Sequence, residues 1–336
     1  MVLRHKEQRP ACATVKRMRQ DASGGRRIAL LGYGACALAG TLWGTGFYFG
    51  RIALNEMSVG HMVLYRFFFA TLGMLPVAVR HRVRLTGPEI RILLVCAFVG
   101  VPLQFLMQFQ GLAYTTVSHA SLMVGSMPVL LAAAAALFAG ERLDWFGWLM
   151  LCGSTAGAAL VVVGGGSGNQ YEQPSLGGDL LVLASMVAAL AWILLSKKLM
   201  EAHSPPVVTA YTILAGTGML TIWVLGPWVL SPLTHRRVTP LPFAHISATA
   251  WAALAISGLM CTATTTMLWN WGIHHVPASR AGVFLNIEPA LGSVLGVELL
   301  GERLGPYAWF GGALILGAAI ALTWRGREPE PAVILE

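Results

Sequence analysis

Apolar stretches of spanning length recur along the chain, separated by short polar breaks, at 29–50, 61–80, 92–114, 119–139, 146–165, 177–197, 206–230, 248–272, 279–300 and 306–324. A helix rises 1.5 Å per residue, so about 20 apolar residues cover a hydrocarbon layer about 30 Å thick. The pattern therefore predicts an all-α membrane protein with ten transmembrane helices. The breaks are short except for 166–176, rich in Gly, Ser and Gln, and 231–247, rich in Pro. Residues 1–28 are polar, carry eight Lys or Arg and show no apolar period, which predicts a basic tail. Residues 325–336 form a second tail.

A longer period underlies the short one. Displaced by 161 residues, Gly111, Ser118, Ala120, Pro128, Leu130, Gly140, Glu141, Arg142, Leu143 and Trp148 fall on Gly272, Ser279, Ala281, Pro289, Leu291, Gly301, Glu302, Arg303, Leu304 and Trp309, ten identities in 38 positions. Common residues alone give about three or four. The chain thus divides into a first five-helix unit over 29–165, a linker over 166–176 and a second unit over 177–324. Five spans is an odd number, so the second copy enters the membrane inverted, as in many secondary transporters. Each Gly-Glu-Arg-Leu reads as a tight turn whose glycine ends a helix and whose charges meet water.

Composition agrees with burial in lipid. Of 336 residues, 56% are hydrophobic and 11% charged, against about 25% charged in soluble domains. Charge orients the bundle. With the N-terminus inside, the inner loops and tails collect eighteen Lys or Arg; Arg51, Arg236, Arg237 and Arg303 alone fall outside. Both termini are expected in the cytoplasm of a cell that holds the protein as a multi-pass inner or plasma membrane component. Arg26 and Arg27 precede the first apolar run, which is long enough to be a retained span rather than a cleaved signal. The net charge of +8 sits at the ends of apolar segments and not along one face, so no nucleic-acid partner is expected. Five cysteines, odd in number and scattered, show no metal or redox spacing. No phosphate-binding loop is present, and no cofactor is expected.

These features resemble the drug/metabolite transporter superfamily, specifically its EamA-type ten-helix proteins. The residues that carry the resemblance are Leu42-Trp43-Gly44, Arg66-Phe67, and the stretches from Ser118-His119-Ala120-Ser121 to Gly140-Glu141-Arg142-Leu143 and from Ser279-Arg280-Ala281 through Glu288-Pro289 to Gly301-Glu302-Arg303-Leu304. The resemblance covers roughly 29–324. It implies a five-plus-five inverted bundle, a central cavity lined mainly by helices 1–4 and 6–9, and export of small metabolites.

Polar side chains at membrane depth mark the candidate chemistry. Glu288, about ten residues into the ninth segment, is a candidate for proton coupling or for binding an ammonium group; its repeat mate is Met127. Pro289 and its mate Pro128 each remove a backbone hydrogen bond and are candidate hinges. Arg66 either snorkels to headgroups or binds a substrate carboxylate; the seventh segment shows no counterpart. Gln104 and Gln108 share a helix face, and Asn270 and Asn286 add further amides that either orient cargo or tie helices. Trp43, Tyr48, Trp192 and Tyr211 either pack or line an apolar-walled cavity. Gly40 with Gly44, and Gly46 with Gly50, offer two small faces for close helix contact. Trp145, Trp148 and Trp309 read as interface anchors. His119, His274 and His275 read as solvated helix-end residues, and no metal site is expected. The expected activity is secondary transport of small polar or amphipathic metabolites, such as amino acids, by alternating access, with protons as a candidate coupled ion. The alternatives are a membrane-embedded enzyme, which lacks a paired base or nucleophile, and a non-transporting scaffold.

Overall fold

The computed structural model describes residues 9–127, 129–130, 133, 145–164, 175–229, 246–276, 281 and 284–325. Pro128, Arg142, Arg280 and most of the 166–176 and 231–247 loops lie outside them. Among the described residues every regular element is a helix. In chain order these are α1 (Arg9–Leu54), α2 (Val59–Arg80), α3 (Gly87–Phe98), α4 (Gln104–Ala113), α5 (Val117–Val124), α6 (Trp145–Gly164), α7 (Leu176–Leu199), α8 (Pro205–Val229), α9 (Ala248–Gly258), α10 (Thr265–His275), α11 (Ile287–Leu300) and α12 (Pro306–Arg325). Six of the resulting helical segments are long and apolar enough to cross a bilayer. The helix α1 reaches back to Arg9, into the stretch read as a tail; after Pro10 that stretch holds Ala, Lys, Arg, Met and Gln, all good helix formers.

Two spans carry a π-helical turn. Val99–Leu103 joins α3 to α4, and Leu259–Thr264 joins α9 to α10. In the first, Pro102 has no N–H to give to the ladder. In the second, the Thr262 and Thr265 hydroxyls donate to the carbonyls of Ser257 and Met260, five residues back, at 3.0 and 2.6 Å. The two turns fall at corresponding places in the 161-residue register.

The packing pairs helices in a symmetric way. α2 lies on α8, α5 on α11 and α6 on α12, while α1 on α10 is matched by α7 on α4. Glycines set the closest approaches. A Cβ on Gly111 would meet the Gly178 carbonyl and the Val182 side chain, both at 2.7 Å; one on Gly272 would meet the Gly32 carbonyl at 3.1 Å and the Cys36 sulfur. The Gly40–Gly44 face packs against the start of α11, with a Cβ on Gly44 placed 2.9 Å from Leu291 Cβ and 3.1 Å from the Glu288 carbonyl. Trp145, Trp148 and Trp309 are exposed at helix starts.

Three expectations about the segment ends change. Glu302 does not meet water. Gly301 ends α11 with φ +67°, and the Glu302 N–H closes the turn on the Gly296 carbonyl at 3.1 Å. The Glu302 carboxylate is then buried and accepts the backbone N–H groups of Val117 and Ser118, each at 2.7 Å. The motif in the second half thus caps the N-terminus of α5 in the first, where an anion is favoured. His119 is not solvated but fully buried, one turn into α5, with Nδ1 3.5 Å from Asp179 Oδ2. Arg51, counted among the outer loop charges, is buried too, and its Nη2 donates to the Thr115 carbonyl. The common reason is that all three sit where helix ends converge, and backbone groups left over at those ends need partners.

A central cavity with one cation and one carboxylate

A cavity of about 90 Å³ lies between the two halves. Seven of the ten candidate residues line it: Trp43, Arg66, Gln104, Gln108, Trp192, Asn270 and Glu288. Three do not. Tyr48 follows cavity-lining Phe47 and so points about 100° away from it; its ring packs edge-on against Phe49 at 5.5 Å. Tyr211 precedes cavity-lining Thr212. Its hydroxyl accepts from Val83 N and donates to the His81 carbonyl, both at 3.4 Å, which ties α8 to the loop after α2. Asn286 is buried at the N-cap of α11, and neither its amide nitrogen nor its oxygen finds a hydrogen-bond partner among the described residues.

Arg66 is 2% exposed, so it does not snorkel. Its Nε donates to Thr262 Oγ1 at 2.7 Å and its Nη2 to the Cys261 carbonyl at 3.4 Å. Both partners belong to the π turn between α9 and α10, so that irregularity provides the cradle for the guanidinium. The guanidinium carbon lies 5.1 and 5.0 Å from the ring centres of Phe105 and Phe109, within cation–π range. Gly46 leaves the room: a Cβ there would sit 3.5 Å from Nη2.

Glu288 is 9% exposed and lies in the first turn of α11. The ninth segment is interrupted just before it. Asn286 forms a turn between helical Phe284–Leu285 and Ile287. The fourth segment is interrupted at the matching place, Gly125 and Ser126. A proline follows each interruption at the i+3 position, and a proline cannot donate to the carbonyl four residues earlier. Pro289 is buried; Pro128 falls outside the described residues. Met127 and Glu288, mates in the repeat, both reach the cavity. Arg66 and Glu288 are close enough to interact electrostatically, yet no ion pair within 4 Å joins them. The cation and the carboxylate therefore face the same space without neutralising each other by contact.

The amides add directionality. Asn270 Nδ2 donates to Thr209 Oγ1 at 2.7 Å while its Oδ1 has no partner among the described residues. Gln104 and Gln108 are buried on one face of α4. Aromatic walls complete the space: Trp43 packs on Trp269 at 5.5 Å, and Trp192 lies so close over Gly100 that a Cβ there would collide with the indole. The sequence alone did not reveal Gly100, Thr209, Thr212 or Thr262, and gave Gly46 only as part of a helix-contact face. Glycine and threonine are common in apolar spans, and only the crossing of helices singles these out. Among the described residues no three His, Cys, Asp or Glu side chains come together at metal-ligand spacing.

Comparison with known proteins places this geometry. A model of the EamA-like transporter family matches residues 30–163 and again 176–324. A transporter of uncharacterized function from Archaeoglobus fulgidus is 23% identical over 294 residues, 87% of this chain and 97% of its own. A protein of Streptantibioticus cattleyicolor, named a probable terminal-alkyne amino-acid exporter, is 25% identical over 305 residues, 88% of this chain and 95% of its own. A crystal structure sharing 18% identity superimposes with a TM-score of 0.59 over 89% of this chain and 98% of that one, which shows a common fold. With a family match spanning both halves and relatives matched over nearly their whole length, this chain is a multi-pass membrane protein of the EamA-like transporter family.

Proposed function

We propose that the protein is a secondary transporter that exports small zwitterionic metabolites, amino acids and close relatives, by rocking two inverted halves about the central cavity. The observation that carries this reading is the pair Arg66 and Glu288: a buried cation and a buried carboxylate on one cavity, held apart, among aromatic and aliphatic side chains, amides and threonines. A zwitterion presents the complementary charges. Arg66 takes the carboxylate through the guanidinium N–H groups not used by Thr262 and the Cys261 carbonyl. Glu288 takes the ammonium group, or a proton when the cavity is empty. Asn270, Gln104 and Gln108 orient the polar end, and Trp43 and Trp192 contact the side chain. The relative named an amino-acid exporter supports the cargo class.

The family match at both 30–163 and 176–324 supports two copies of one unit, and the positive charge balance supports cytoplasmic termini. Interruptions in the fourth and ninth segments, each ahead of a proline, supply the hinges. Counterflow in proteoliposomes with a panel of labelled amino acids, their amides and their decarboxylated amines tests the reading. Uptake of the amino acids is expected, with the amides and amines reduced at least tenfold. Equal transport of all three classes contradicts it.

A further inference from the structure

A second buried polar cluster lies away from the cavity. Asp179, at the start of α7, and His119, in α5, are both 0% exposed. Thr115, in the turn between α4 and α5, donates from Oγ1 to Asp179 Oδ1 at 2.6 Å, and His119 Nδ1 faces Asp179 Oδ2 at 3.5 Å. Arg51, at the end of α1, donates to the Thr115 carbonyl. The Ser175 N–H donates to the Tyr114 carbonyl at 3.0 Å, and Glu302 holds the start of α5 from the far side. Along α7, Asp179 stands two turns from cavity-lining Met186, about 10 Å at 1.5 Å per residue. The cluster therefore lies beyond one end of the cavity, where elements of both halves meet.

An equivalent crossing of helices lies at the other end. The contact of Gly111 with Gly178 and Val182 corresponds to that of Gly272 with Gly32 and Cys36. Among the described residues there, Val276 and His275 stand against Gly32, and the rings of Tyr33 and Phe284 lie 6.1 Å apart. The first end is fastened by directional bonds among buried groups. Bonds of this kind are costly to break unless water replaces them. His119 Nε2, buried and without a partner among the described residues, gains one when water enters.

We propose that Arg51, Thr115, Asp179 and His119 form the latch of the outer gate, so that their bonds hold the resting protein closed on the outer side and part when it turns outward. These are positioning residues that act on the access path and not on the cargo. The proposal rests on the transporter reading and on the orientation given above. The test places one cysteine in the cavity, Met127→Cys, in a background lacking the five native cysteines. Its reaction rate with a membrane-impermeant maleimide is measured from each side of the membrane, in right-side-out and inverted vesicles. Thr115→Val and Asp179→Asn should each raise the outside rate at least threefold, while Thr115→Ser, which keeps the hydroxyl, stays near the parent. A rise seen only from the inner side supports the latch and overturns the orientation. Unchanged rates from both sides in folded Thr115→Val overturn the latch itself, whatever cargo the protein carries.

Discussion

A guanidinium inside a bilayer is tolerated only where hydrogen bonds and a polar cavity replace its hydration. Arg66 meets that condition through one hydroxyl, one backbone carbonyl and two aromatic faces, and it keeps donors free for a ligand. Lysine has no planar fork and cannot make the same set of contacts. Arg66→Lys is therefore expected to raise KM for a carboxylate-bearing cargo at least tenfold in proteoliposomes, with the protein still folded. Removing its orienting hydroxyl by Thr262→Val should raise KM in the same direction and cost about 2 kcal/mol of binding, the usual worth of a hydrogen bond to a charged group. Glu288→Gln preserves shape and removes the exchangeable charge. Its transport rate should lose the pH dependence of the parent; an unchanged pH profile would remove Glu288 from any proton role. At this scale the sequence was informative about charges. An Arg, a Glu and amides inside apolar runs are rare enough to stand out. It was silent on Gly100 and the threonines around them, and it left Tyr48 and Tyr211 open between packing and lining; each packs, one residue from a cavity-facing neighbour.

At the scale of helices, the ends are tied by carboxylates. Glu302 serves α5, and Glu56, in the turn after α1, accepts from the Ser247 N–H and hydroxyl, both at 2.6 Å, at the start of α9. Those two bonds hold the Glu56 carboxyl below its ordinary range, the side-chain bond contributing most. A lowered value stabilises the fold above the unfolded carboxylate range, and the contribution is lost as pH falls through it. Glu302→Ala leaves two buried N–H groups unpaired and should lower stability by about 2 kcal/mol, read as a lower Tm in detergent. Gly301 is a purely conformational case, since a Cβ there meets nothing within 4 Å while φ is +67°. Gly301→Ala should cost about 1 kcal/mol and Gly301→Asn less, because asparagine tolerates the left-handed region. The limits of the second, third, fifth to eighth and tenth segments were legible from hydrophobic length to within a few residues, since lipid demands it. The π turns were not, because they arise from Pro102 and from threonine hydroxyls answering carbonyls within the helix. Nor was the capping by Glu302, which needs the other half to be present.

For the molecule as a whole, two matched units with reciprocal helix pairings place the cavity where the halves meet. The halves are alike in frame and unlike in chemistry. Met127 stands where the other copy has Glu288. On the proposed transport reading, such a difference makes the two access states chemically distinct. The repeat was visible in the sequence because turn residues such as Gly-Glu-Arg-Leu change little between copies. Part of the chemical asymmetry was legible too, at Met127 opposite Glu288 and at Arg66 without a counterpart; the cluster of Arg51, Thr115, Asp179 and His119 becomes visible only in the fold. The claim on which the account depends is that the copies cross the membrane in opposite senses. Single cysteines placed by Arg142→Cys and Arg303→Cys in a cysteine-free background, labelled with an impermeant reagent, test it most directly. The account predicts that position 142 reacts from the cytoplasmic side and position 303 from the outside; reaction of both from the same side would contradict it.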